Sequence, residues 1–196
     1  MKRITESNAI EKLAVIREEF RGSVAEFEQQ AESCLTCTTQ GACCLDAHFV
    51  NVRVTRLETA AIKRSIDSLV PTLKNAVAER IITAIKSYKL DEAIDAATAT
   101  YACPLFEKGI GCLVHTTAKP LPCIAHACYK DEADLPPDEL LDSAEIRVGR
   151  LDRRTYGEHS QALPIPVALR NAGIQLGLRS RPPRTVIGIN RNKNKT

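Results

Sequence analysis

The 196-residue sequence contains no tryptophan, and aromatic residues make up only 4% of it. A core built from such a chain must rest on Ile, Leu, Val and Ala, a bias that suits helices better than sheets. The expected fold class is therefore mainly α: a helical body with irregular cysteine-rich loops and at most one or two short strands. Long apolar runs are missing too, so no segment is expected to cross a bilayer. The first eight residues, Met1 to Asn8, are charged and polar where a secretion signal would be apolar. These two absences lead to the expectation of a cytoplasmic protein with no membrane partner.

Acidic residues run out early. After Glu158 there is no Asp or Glu, while Arg170, Arg179, Arg181, Arg184, Arg191, Lys193 and Lys195 are all basic. That leaves 20 of the 27 basic residues with all 24 acidic ones, so the preceding body is mildly acidic. One domain is expected over 1–178, followed by a basic tail over 179–196 that is ordered only where it lies on the body or on a partner. Clustered Arg and Lys gain counterion-release free energy on polyanions, which makes the tail a candidate nucleic-acid contact. It offers no aromatic ring for base stacking, however, and a solvated terminus is the favoured reading.

Familiar catalytic signatures are also lacking. There is no phosphate-binding Gly-rich loop, no nucleophile elbow, no zinc-protease helix motif and no CxxxCxxC triplet. These absences count against an enzyme without removing the case for one, because a thiolate-bound cluster can itself be the reactive centre.

Cysteine, in contrast, is abundant: eight residues fall in two groups far apart in the chain. Disulfide frameworks belong to small secreted chains that cannot build a core, and this chain is neither small nor visibly secreted. In a reducing compartment, clustered thiols point to metal or redox chemistry. The first group is Cys34-Leu-Thr-Cys37 followed by Cys43-Cys44, and two cysteines separated by two residues can bend around one ion. The second comprises Cys103, Cys112, Cys123 and Cys128, interleaved with Pro104, Gly109, Gly111, Pro120 and Pro122. Those prolines and glycines are expected to break regular structure and present the thiolates from stiff turns.

All eight cysteines are candidate ligands. Four thiolates complete a zinc tetrahedron or hold a cubane iron–sulfur cluster, so eight allow two sites, or one site with thiols left over. Cys43 and Cys44 are neighbours whose side chains tend to diverge, which makes one of them a candidate spare unless they serve different metals. His126, His115 and His48 stand near cysteines, although a histidine beside a metal loop is more often packed or solvated than ligating.

Outside these groups the periodicity is helical. Ile10, Leu13, Ile16, Phe20, Val24, Phe27 and Ala31 mark an amphipathic helix over roughly 5–32, with Gly22 as a weak point. Residues 34–48 read as loop, and 49–54 as one strand. Thr55 and Glu58 have capping-box spacing ahead of a helix that should end near Val70, because Pro71 disfavours helical geometry in the residue before it. Pro71 can open a second helix carrying Val77, Ile81 and Ile85, and a short alanine-rich segment over 91–100 leads into the second cysteine group. A further helix is expected from about Asp138 to Arg150.

The order of a CxxC pair, a tandem Cys-Cys, a strand-like stretch ending in Thr55 with Glu58 three residues on, Cys103-Pro104-Leu105, Gly109-Ile110-Gly111-Cys112-Leu113-Val114 and Lys119-Pro120-Leu121-Pro122-Cys123 resembles the YkgJ-type cysteine-cluster family. The resemblance spans about Cys34 to Cys128, and its combined motifs are far more specific than any one CxxC. It implies a zinc- or iron-chelating domain, often an iron–sulfur protein, in a family that includes flagellin lysine methylases. The function so implied is a protein holding an iron–sulfur cluster, with Zn2+ as the alternative cofactor, in electron transfer or redox sensing with a redox or protein partner. The main candidate ligands are then Cys34, Cys37, Cys44, Cys103, Cys112, Cys123 and Cys128. A zinc-stabilised binding module and an enzyme related to protein lysine methylases are the rival readings.

Overall fold

The computed structural model of the chain describes residues 3–29, 31, 38–45, 50–91, 99–126, 129, 131–157 and 161–174. The expected alanine-rich segment over 91–100 falls largely outside them, as does the basic tail over 179–196. The fold is mainly α, with two small sheets among the described residues.

Helix α1 runs Glu6–Glu28 and is capped by Thr5, whose hydroxyl accepts from the Asn8 amide. Its apolar stripe buries Ala9, Leu13, Ile16, Phe20 and Val24, close to the face the periodicity predicts, and the helix passes through Gly22 without a break. It ends a few residues sooner than expected. Helix α3 (Arg56–Asp67) begins with the expected capping box: Glu58 N donates to the Thr55 hydroxyl, while Thr55 N donates to the Glu58 carboxylate. Pro71 then sits at the first turn of α4 (Pro71–Ser87), where its missing N–H leaves nothing unsatisfied.

Helix α6 (Asp138–Tyr156) is six residues longer than expected and stops at Gly157, which takes φ 87° as a left-handed cap. The short helix α7 (Ile165–Asn171) was not anticipated. Helix α1 packs chiefly on α6 and also on α3; α3 in turn meets α6 and α7, and α4 packs on α7. One continuous apolar core, from Leu13 through Leu57, Ile81, Leu121 and Val148 to Leu169, joins these helices.

The expected strand over 49–54 shrinks to β1 (Arg53–Val54), antiparallel to β4 (Leu163–Pro164). Two causes are visible. Pro164, opposite Arg53, has no N–H to extend the ladder. The carbonyls of Val50 and Val52 are instead taken by Tyr101, the first by its backbone N–H at 3.0 Å and the second by its hydroxyl. Tyr101 is fully buried, and its hydroxyl also accepts from Ile165 N at 3.1 Å. One side chain thus ties the stretch before α3 and the start of α7 to the approach of the second cysteine group.

Candidate metal centre

The first cysteine group enters through Gly41. Its φ of 83° belongs to the left-handed region, and a Cβ there would lie 2.0 Å from the Phe106 ring, so only glycine lets this turn press on the second cysteine group. The Gly41 carbonyl accepts from Cys44 N and Leu45 N, both at 2.9 Å, and starts the one-turn helix α2 (Ala42–Leu45). A loop throughout 34–48 is therefore corrected: the tandem pair rides on a helical turn, and a single turn is too short to show periodicity. Cys103 N donates to the Cys44 carbonyl at 2.7 Å, which joins the two groups directly.

Cys112 returns toward Cys103 by way of a hairpin that sequence reasoning missed, β2 (Phe106–Glu107) with β3 (Gly111–Cys112), in which Phe106 pairs with Cys112. Two glycines at positive φ, Gly109 and Gly111, shape its turn. Arg80 of α4 clamps it: Nε donates to the Pro104 carbonyl and Nη1 to the Glu107 carboxylate, each at 2.8 Å. Cys123 lies on helix α5 (Leu121–Ala125), which packs against α1 and α6. The expectation that the prolines there prevent regular structure is also corrected. Pro120 is the cap of α5 and Pro122 lies in its first turn, where helices tolerate proline.

The five described cysteines, Cys43, Cys44, Cys103, Cys112 and Cys123, are half-buried thiols with no disulfide among them. Burial is the largest influence on Cys103, and it raises this thiol to about 12 with a further push from Cys112. The backbone amides of Leu105 and Phe106, together with the Arg80 charge, pull the other way. Cys123 is raised by burial and then by Cys103 and Cys112, against the charge of Lys119. Cys44 is raised first by its hydrogen bond with Cys43, next by burial, and then by Cys103 and Cys123. Cys103 and Cys123 thus lie within electrostatic reach of each other, with Cys112 acting on both and Cys44 acted on by both. The upward shifts of Cys44, Cys103 and Cys123 mean that gathering thiolates here is costly unless a cation neutralises them, and a coordinated metal reverses that sign.

Among the described residues, no group of three or more Cys, His, Asp or Glu side chains forms a set that could hold a metal ion as it stands. Cys34, Cys37, Cys128 and His48 lie outside the described residues. His126 is the exposed cap residue at the end of α5, and His115 is exposed, with burial followed by Lys119 and Arg21 pulling its ring below the usual range. The donor chemistry nonetheless fits a thiolate-bound centre: soft sulfur ligands, two amides aimed at Cys103, and Arg80 and Lys119 close enough to offset negative charge.

Within electrostatic reach of Cys123 is a second group of charges that sequence reasoning did not foresee. Arg17, on the apolar face of α1, is only 2% exposed, and its Nε and Nη2 have no hydrogen-bond partner among the described residues. Burial lowers it to about 10, and Glu58 opposes the fall. Glu58, also buried, is raised by that burial against the pull of Thr55 and Arg17, and its charge reaches Cys123. Asp152 completes the group by accepting from Leu57 N at 2.8 Å. An arginine between Ile16 and Phe20 in an amphipathic pattern was the available signal.

No known family model, curated protein or solved structure matches this chain.

Proposed function

We propose that this chain is a metal-binding protein in which the two cysteine groups close on one thiolate centre, with Cys44, Cys103, Cys112 and Cys123 at its heart. Cys34, Cys37, Cys43 and Cys128 are further candidates for ligation or support. The observation that carries the reading is the meeting of the groups, through the Cys103 N to Cys44 carbonyl bond and the electrostatic influence of Cys103 and Cys123 on Cys44. An iron–sulfur cluster is favoured over zinc by the resemblance to the YkgJ-type family. Such a cluster supplies reversible one-electron chemistry, so electron transfer or redox sensing with a protein partner is the function proposed. Arg80 and Lys119 then serve to offset the charge of the thiolates, while the Leu105 and Phe106 amides donate to sulfur and tune the centre.

Anaerobic purification from unsupplemented cells, with metal, acid-labile sulfide and visible absorption measured on one sample, tests this. Iron and sulfide in comparable amounts with broad charge-transfer absorption are expected. Zinc without sulfide or colour would make the protein a structural or binding module. Absence of both metals would overturn the proposal.

A further inference from the structure

A trough of about 790 Å3 runs along the outer side of α3, bounded by the start of α1, the end of α6, and α7 with the β1–β4 pair. This volume falls within the ~300–1,000 Å3 typical of small-molecule sites. Its floor is apolar, formed by Ile10, Val54, Ala60, Leu163 and Ala168. Its rim is charged, because α3 turns Leu57, Ala61, Ile62 and Ile66 into the core and leaves Arg56, Lys63 and Arg64 on this side.

The rim carries two carboxylates, and both are engaged. Glu6 accepts from the Tyr156 hydroxyl at 2.6 Å, and Asp67 accepts from Lys63 at 2.5 Å. Arg56 and Arg64, in contrast, make no ion pair among the described residues. The Arg56 guanidinium carbon lies 4.0 Å above the Tyr156 ring centroid. Arg56 is exposed, and a guanidinium held beside a ring can still bind a planar carboxylate through two parallel N–H hydrogen bonds. Arg64, two turns further along α3 and ~12 Å away at 1.5 Å per residue, adds positive potential at the far end of the apolar floor.

We propose that this trough binds a small amphipathic carboxylate, with the head group on Arg56 and the hydrocarbon chain on the floor beside Ala60. The site owes nothing to the cysteine centre and stands or falls apart from it. Octanoate titrated into the full-length, 15N-labelled protein tests the proposal, with octyltrimethylammonium as the cationic control. Saturable amide shifts centred on Val54, Ala60 and Ala168 are expected with octanoate alone. Arg56→Gln, an exposed change that leaves the core untouched, is expected to weaken binding about tenfold, and Ala60→Trp to abolish it by filling the floor. Absence of saturable shifts at millimolar octanoate, equal response to the cation, or undiminished affinity in Arg56→Gln would each overturn the proposal.

Discussion

Arg17 and Glu58 set the energetics of the interior more sharply than any apolar residue. Each is nearly inaccessible to water, and each is shifted toward its neutral form by burial while the other restrains the shift. The two make no ion pair among the described residues and act on each other through space, so leaving one buried charge without the other is costly, whereas removing both is often nearly neutral. Arg17→Met is therefore expected to destabilise the protein by up to ~3–5 kcal/mol, less to the extent that Glu58 takes up a proton. Adding Glu58→Gln, which keeps an acceptor for Thr55, should recover most of that loss in urea denaturation; simple additivity of the two losses would contradict the pairing. The pH dependence has a definite sign. Because the folded-state pKa of Glu58 is raised, its stabilising contribution is fully present below the unfolded carboxyl value of ~4.3 and is lost as pH rises through the folded one. Between those values the wild type should lose stability with rising pH relative to Glu58→Gln. Little of this was legible in the sequence, where Glu58 stood out only as half of a capping box.

Among the elements, what was legible followed length. Helices α1, α3, α4 and α6 each repeat their apolar stripe over several turns, and the punctuation at Thr55, Glu58 and Pro71 appears in the structure where it was expected. The capping box has a direct test, since Thr55→Ala removes an acceptor for Glu58 N and a partner for the Glu58 carboxylate. A loss of ~1 kcal/mol in unfolding free energy, within a range of about 0.5–2, is expected from denaturant titration. Helices α2 and α5 and the β2–β3 hairpin escaped detection because four or five residues cannot display a period, and because prolines and glycines signal turn and helix start alike. The strand before α3 was overestimated for a different reason. Alternation of side chains says nothing about whether a partner strand can supply N–H groups, and here the partner ends in Pro164.

For the whole molecule, the helical frame matters because it brings two distant stretches of chain together. Helix α1 leads toward the first cysteine group, α3 and α4 separate the groups in sequence, and α5 holds Cys123 against α1 and α6. The Gly41–Phe106 contact and the Cys103 to Cys44 hydrogen bond then close the gap. The grouping of the cysteines was legible from spacing alone, but the meeting of the Cys43–Cys44 turn with Cys103 was not. It depends on Arg80, Phe106 and Tyr101, residues whose roles are set by tertiary contacts rather than by any local pattern.

The most direct test of a single centre shared by both cysteine groups is X-ray absorption at the metal edge of anaerobically purified protein, compared with Cys44→Ser and Cys103→Ser. The wild type is predicted to show a first shell of sulfur, at about 2.3 Å, with each variant losing metal although the two cysteines belong to different groups. A first shell of nitrogen or oxygen, or full metal retention in both variants, would contradict the account.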